Sequence, residues 1–431
     1  MFFGVGHLPT VQLDPGRCRT GARENRRQSS GCQVRLLLVH QNFPGQFRQL
    51  APHLESRGHE LVAICSHQRP VALKGRVLRY SEPEKLANVP LGTQLWHDGL
   101  QRSAFVARFA KTLAEDGWKP DRILGHSGWG ETLGLSAIWP DVPQILWPEL
   151  WIRPEHGGYG IDPLKPRVTL ESQLEQLGRN AMTRSALADA TAWVMPTEHQ
   201  ANSLPSEFRD QRLHVIHEGI DTQLAQPNPA VTFALRGITI DRSVPTITLV
   251  NRNLERLRGF DVFMRALPAI LSRHPHVRVL IVGDNEAGYG GEGGPMSLRE
   301  RMLEELKGRL DLNRIHFLGR IPHPQLMAVL QASWVHVYLS FPFILGWSLI
   351  EAMACGCCIV GSDGMPVSEV IQDGAEGILI PMNDPDLLSE KVLQLLANPE
   401  VRVRFGRAAR RRALLYDQRL TLKHLLEVLD A

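Results

Sequence analysis

From Val34 onward the chain alternates short apolar runs with longer stretches in which apolar residues return every three or four positions. The short runs predict buried strands and the longer period predicts amphipathic helices. Val34–Val39 is the first such strand. It meets the polar loop His40–Gly45 and then Gln46–Arg57, where Phe47, Leu50, Ala51 and Leu54 share one helical face and Gly58 supplies a stop. Further strands are expected at Glu60–Cys65, Arg122–Gly125, Gln144–Trp147, Ala192–Met195 and His214–His217, with helical stretches between them. Residues 223–241 are spotted with proline and weakly patterned, which suits a linker. The alternation then restarts, with strands at Thr246–Val250, Val277–Val282, Arg314–Leu318 and Trp334–Leu339 and helices at Phe260–Leu271, Ser297–Leu306 and Gln325–Ala332. An Arg-rich helix spans Arg402–Arg412 and a last one Gln418–Leu429. Alternation of this kind predicts an α/β protein of doubly wound parallel sheets. The expected division is an extension at 1–33, a first domain at 34–222, a linker at 223–241, a second domain at 242–414 and a terminal helix at 415–431.

A chain of 431 residues is long enough for two cores, and 43% hydrophobic with 22% charged is a globular composition. No apolar run reaches the length that spans a bilayer, and MFFGVGHLP is too short and too broken for a signal peptide. The expectation is a cytoplasmic protein, at most peripheral at the inner membrane face. The net charge of +3 sits in the extension, which holds Arg17, Arg19, Arg23, Arg26 and Arg27 against Asp14 and Glu24; the remainder has 43 basic and 43 acidic residues. A neutral body argues against nucleic acid as a partner. The extension lacks periodicity and is expected to be disordered, with native translation starting at Val34. Cys18, Cys32, Cys65, Cys355, Cys357 and Cys358 show no zinc spacing and are expected to be packing thiols.

Chemistry concentrates in residues 336–381, HVYLSFPFILGWSLIEAMACGCCIVGSDGMPVSEVIQDGAEGILIP. Strand, loop, helix and strand follow one another there. Gly346, Trp347 and Ser348 open the helix, so its free N–H groups favour an anion such as a diphosphate. Glu351, one turn further in, suits ribose hydroxyls. Pattern alone fits an ordinary buried βαβ unit equally well, with Glu351 as a solvated charge. Elsewhere, Gly45 in the loop after the first strand permits close approach of a phosphate or sugar. His126 ends a strand where doubly wound sheets bind ligands, although a lone histidine is more often structural. Glu149 and Glu155 have no role above solvated surface. Residues 250–260 carry Arg252 and Arg258 from a strand into a helix, and Arg320 and Ile321 follow another strand-to-loop corner. Residues 288–293 fit G-x-G-x-x-G, but the first glycine stands away from the strand end, so a plain glycine loop is expected.

The 336–381 segment resembles the donor-binding segment of the retaining group-1 (family 4) glycosyltransferases, E-G-F-G-L-x-x-x-E-A-M-A-x-G-x-P-V-V, through Gly346, Glu351-Ala352-Met353-Ala354 and Gly356. Phe343 stands where that family has its first acid. V-H-Q-N-F-P-G-Q-F resembles the family's glycine loop with its glycines reduced to Gly45, and His126 matches its strand-end histidine. Arg258-Gly259 matches the K-G of G-R-L-x-x-x-K-G, with Arg252 one residue out of its spacing and Asn253 in the ungapped place. The resemblance implies a GT-B fold, two Rossmann-like domains facing across a cleft, with the terminal helix packed back on the first. It implies transfer of a sugar from a nucleoside-diphosphate-sugar donor with retention, no cofactor and no metal. The acceptor would be a glycan, a lipid-linked or a small-molecule one. His126, Arg252 and Arg258 would be catalytic, and Gly45, Arg320, Ile321, Gly346, Trp347, Ser348 and Glu351 donor-binding. Two other readings share the architecture: a nucleotide-sugar 2-epimerase, and a binding protein without turnover, which Phe343 favours. Arg102, Arg108 and Lys111 flank Phe105, Val106 and Phe109 in a segment that suits weak membrane-surface contact, or an ordinary solvated helix face. Mass spectrometry of the native N-terminus is expected to find no peptide from residues 1–33; recovery of such peptides would overturn the proposed start.

Overall fold

The computed structural model describes residues 33–69, 71, 73–286, 288 and 295–430. The extension up to residue 32 and most of the 288–293 glycine loop lie outside them. Two parallel sheets organise the chain. The first has seven strands, β1 (Arg35–Val39), β2 (Glu60–Cys65), β3 (Arg76–Arg79), β4 (Arg122–His126), β5 (Gln144–Trp147), β6 (Ala192–Met195) and β7 (Leu213–Val215), in the order β3-β2-β1-β4-β5-β6-β7. The second has six, β8 (Thr246–Asn253), β9 (Arg278–Asp284), β10 (Ile315–Gly319), β11 (Val335–Tyr338), β12 (Cys358–Ser362) and β13 (Gly377–Ile380), in the order β10-β9-β8-β11-β12-β13. The apolar runs become central strands because both faces are covered. Leu36 and Leu38 point into one apolar cluster and Leu37 and Val39 into another. In the second sheet Leu249 and Val337, paired in register, face one cluster while Val250 and Tyr338 face the other.

In each sheet the winding reverses at one point, between β1 and β4 and between β8 and β11. Connections leave such neighbours in opposite directions, which opens a crevice at their carboxyl ends. His40 and His126 stand at the first crevice; the 251–258 and 339–348 segments stand at the second.

Several local expectations change. Gln46–Arg57 is a 3-10 turn (Gly45–Arg48) followed by an α-helix (Leu50–Ser56), because Pro52 has no N–H to donate and must lie in a first turn. The stretch read as linker contains an antiparallel hairpin, Thr232–Leu235 with Ile238–Asp241, turned at Arg236 and Gly237, both with positive φ. Its Ile240 is fully buried. Neither β3 nor β13 is among the expected strands: β3 carries no strong apolar run, whereas β13 does, in Ile378, Leu379 and Ile380, but is only four residues long. Cys65, Cys355, Cys357 and Cys358 are buried and free; burial pushes the Cys357 thiol up to about 12.

The two sheet domains are joined by polar contacts as well as by chain. Arg256 forks onto Asp162, its Nε and Nη2 donating at 2.9 and 2.5 Å, and its Nη1 donates to Asp261 at 2.6 Å. Asn383 donates to the Ile161 carbonyl at 2.7 Å. The Glu369 carboxylate accepts the backbone N–H groups of Glu198 and His199, at the start of a first-domain helix. The terminal helix Gln418–Asp430 places Leu425, Val428 and Leu429 in the same cluster as Leu36 and Leu38.

Asp162 is only 2% exposed, so its charge depends on the Arg256 fork. Arg256→Met strands that carboxylate and is expected to cost about 3 kcal/mol in urea unfolding. An unchanged unfolding midpoint would contradict this.

Candidate active site

The second crevice is built around one hydroxyl. Tyr338 ends β11 and is buried, and its oxygen accepts the Gly346 N–H at 2.8 Å and Arg258 Nη1 at 3.3 Å. Arg258 Nη1 also reaches Ser340 Oγ at 2.9 Å and the Ile344 carbonyl at 3.0 Å. The arginine is thereby fixed beside the start of the Trp347–Ala354 helix, whose N-cap, Gly346, makes no side-chain cap bond. The Tyr338 oxygen would lie 3.0 Å from a Cβ at position 346, so glycine suits this close approach. The first two helical N–H groups, of Trp347 and Ser348, precede the internal hydrogen-bond ladder. A guanidinium and a helix N-terminus thus share one corner, a strongly anion-attracting arrangement.

Phe343 is buried in the apolar cluster of the second domain, and the Arg258 guanidinium carbon lies 5.6 Å from its ring centre. Where the family pattern has an acid, this chain supports the arginine on an aromatic face. Arg252 lies on the irregular end of β8, where the register shifts between Val250 and Asn253, and is exposed. Among the hydrogen bonds of the described residues none joins it to Arg258. Asn253 is buried, and its Oδ1 accepts from Arg320 Nη2 at 3.4 Å. Arg320 also pairs with Asp284 at 3.1 Å and Glu286 at 2.5 Å, and Ile321 packs on the core beside it. Glu351 is 5% exposed, and one oxygen is 2.6 Å from His323 Nε2. His323 opens the next helix upstream and was not anticipated.

At the first crevice His126 is buried, with Nε2 3.4 Å from Glu149 Oε2 and Nδ1 lacking a hydrogen-bond partner among the described residues. Burial opposes its charge, but the bond to Glu149 and the carboxylates of Glu149, Glu131 and Glu218 outweigh it and raise its pKa. Glu149 has φ +66, a left-handed backbone that costs a non-glycine residue energy. Burial works to raise the Glu149 pKa, and His126 and Arg179 pull it below the ordinary value. Glu131 is fully buried and pushed up by that burial; it accepts from the Tyr80 hydroxyl at 3.2 Å. The His40 ring lies tilted against His126, centroids 4.9 Å apart, and is driven down to about 3, first by burial and then by His126. The Asn42 N–H donates to His40 Nδ1 at 2.9 Å, so the neutral ring keeps its proton on Nε2, which donates to Gln46 Oε1 at 2.5 Å. Gly45 serves this histidine: a Cβ there would lie 2.1 Å from the His40 ring, and φ is +48.

Glu218, beyond β7, ties the two crevices together. It accepts from the indole Nε1 of Trp347 and from Gln46. Burial raises it from 4.5 to about 7, with nearby Glu149 adding to the shift. Glu149 and Glu218 were not legible as site residues: each follows an apolar strand on a loop, and neither stands in a motif. Of the cationic segment considered for membrane contact, Arg102 is buried and 3.5 Å from Glu82, while Arg108 and Lys111 are exposed. No helix among the described residues is long and apolar enough to cross a membrane.

Comparison with known proteins agrees with this geometry. Residues 57–225 match the family model described as glycosyl transferase family 4 group, and residues 237–412 match glycosyl transferases group 1. The chain belongs to the group 1 glycosyltransferases. Among relatives of this glycosyltransferase, the D-inositol 3-phosphate glycosyltransferase of Corynebacterium urealyticum is 25% identical over 396 residues, covering 88% of each chain. Sucrose-phosphate synthase from Thermosynechococcus elongatus superposes with a TM-score of 0.70 at 17% identity, covering 92% of this chain and 98% of that one. Anabaena HepE in complex with UDP-glucose gives 0.66 at 17% identity, covering 92% and 100%. These likenesses establish the GT-B fold for this glycosyltransferase.

The raised Glu218 has a consequence for stability. The folded protein holds its proton between about pH 4.5 and 7, where the unfolded chain has lost it. Stability from this group is therefore full below pH 4.5 and falls as pH rises through 7. At about 1.4 kcal/mol per pKa unit the span is on the order of 3–4 kcal/mol. Glu218→Gln should lose correspondingly less stability between pH 5 and 8 in chemical unfolding; parallel curves for the two proteins would contradict the assignment.

Proposed function

We propose that this glycosyltransferase takes a nucleoside-diphosphate sugar as donor and transfers the sugar with retention at the anomeric carbon, without a metal. The observation that carries the reading is the Tyr338 hydroxyl, which fixes Arg258 and the start of the Trp347–Ala354 helix side by side. A diphosphate placed there would meet the guanidinium and the N–H groups of Trp347 and Ser348. As the bond from anomeric carbon to phosphate breaks, negative charge grows on the departing oxygen, and fixed donors aimed at it lower the barrier. Glu351, steadied by His323, takes the ribose hydroxyls with its second oxygen, and Arg320 and Ile321 border the base. Arg252, exposed beside the crevice, is a second cation available to the phosphates.

His126 faces the transferred sugar in this reading. Its Nδ1 lacks a partner among the described residues, and a buried polar atom of that kind calls for one from a ligand. Front-face transfer follows: the acceptor oxygen bonds the anomeric carbon on the side the phosphate leaves, and the acceptor proton passes to the departing phosphate oxygen. The acceptor is a glycan, lipid-linked or small-molecule hydroxyl. D-inositol 3-phosphate belongs in any acceptor panel, because the Corynebacterium relative is named for it.

Purified protein is expected to release nucleoside diphosphate from at least one of UDP-glucose, UDP-N-acetylglucosamine, GDP-mannose and ADP-glucose. Arg258→Ala should lower kcat by about 10²–10³-fold with an unchanged melting temperature. Arg258→Lys keeps the charge without the fork and should fall between. Full activity in Arg258→Ala would sink the assignment, and binding of a donor with no turnover would favour a binding protein.

A further inference from the structure

Trp347 has two jobs that meet in one residue. Its backbone N–H belongs to the first turn of the helix proposed to hold the diphosphate. Its indole packs on the apolar cluster of its own domain, while its polar edge and one ring face are held by residues of the first domain. The indole Nε1–H donates to Glu218 Oε2, and the Arg48 guanidinium lies 4.6 Å above the ring. Arg48 closes the 3-10 turn that follows the β1 loop, and Glu218 follows β7. Both therefore come from strand ends of the first sheet, far from Trp347 in sequence.

The contact continues inward. Gln46 bonds Glu218 and accepts from His40 Nε2, and His40 packs against His126. The donors point one way along this chain: Asn42 N–H to His40, His40 to Gln46, Gln46 to Glu218, and Trp347 to the same carboxylate from the other side. Glu218 is thus the shared acceptor at which the sugar-side histidines and the donor helix are joined. Its perturbed ionisation agrees with a carboxyl group confined in that position.

We infer that Trp347 is a positioning residue, through which Glu218 and Arg48 of the first domain set the helix start that receives the donor phosphates. The inference rests on the donor site proposed above. It goes beyond that reading by giving the acceptor-side domain direct control over the phosphate corner. Tyr338 and Arg258 hold that corner from within the second domain; Trp347 registers it against His126. Nucleotide binding, which needs the second domain alone, should then survive loss of the contact. Turnover, which needs the phosphate corner aligned with the sugar pocket, should not.

The test uses the full chain with Glu218→Ala, Trp347→Phe, their double variant, and Glu218→Gln, which keeps a carbonyl acceptor for the indole. Hydrogen–deuterium exchange of peptides covering residues 338–355 is expected to rise about equally in the two single variants. It should rise no further in the double and return towards wild type in Glu218→Gln. Unchanged exchange in Glu218→Ala overturns the inference whatever the donor proves to be. With the donor turned over in the panel, kcat should fall about tenfold in each single variant and no further in the double. Affinities for UDP, GDP and ADP by calorimetry should stay within threefold. Losses that multiply in the double variant, or a fall in nucleotide affinity that tracks melting temperature, would make the residues merely structural and overturn it. If exchange behaves as expected and no donor is consumed by wild type, the donor reading fails and the contact stands.

Discussion

The constraint on which this site rests is that Tyr338 has one hydroxyl oxygen and two obligations. It closes the open N-terminus of the Trp347–Ala354 helix through Gly346, and it holds the Arg258 guanidinium against the end of β11. Each hydrogen bond is worth only about 1 kcal/mol net. Their value lies in geometry: a cation from the loop after β8 and a helix dipole from the loop after β11 are brought to one point. Neighbouring strands at a winding reversal make that meeting unavoidable, because their following loops diverge and leave the corner open.

The opposite wall is built on other terms. His40, His126, Glu131, Glu149 and Glu218 crowd buried or half-buried ionisable groups into the carboxyl ends of the first sheet. Such groups are costly unless paired, and here each finds a partner or changes its protonation. Glu149 and His126 keep opposite charges together, His40 stays neutral, and Glu131 and Glu218 are pushed towards their protonated forms. A cluster paired and tuned in this way is more characteristic of a working site than of a core.

Much of this was written in the sequence where local pattern carries it. The strands at Val34–Val39, Glu60–Cys65 and Ala192–Met195 are apolar enough to name themselves, and the helix opened by Gly346–Ser348 announces its own N-terminus. Pro52 was equally visible as the reason for the broken Gln46–Arg57 helix, yet the apolar face spoke louder. What could not be read depends on distance in the chain. Glu149 and Glu218 act only because β5 and β7 bring their loops towards His126, and the Trp347–Glu218 contact joins residues 129 apart in sequence, one from each sheet domain. Phe343 illustrates the same limit. As sequence it is a missing acid, and in the structure it is an aromatic support under Arg258. Arg252, read beside Arg258, stands exposed on the irregular end of β8 because the strand continues through Asn253.

The central claim is that a diphosphate sits where Tyr338 joins Arg258 to the helix start. A crystal structure of the protein soaked with UDP, GDP or ADP tests it most directly. The account predicts the β-phosphate within hydrogen-bonding distance of the Arg258 guanidinium and of the Trp347 and Ser348 N–H groups, with Tyr338 still bonded to Gly346. A bound nucleotide whose phosphates lie away from that corner would contradict it.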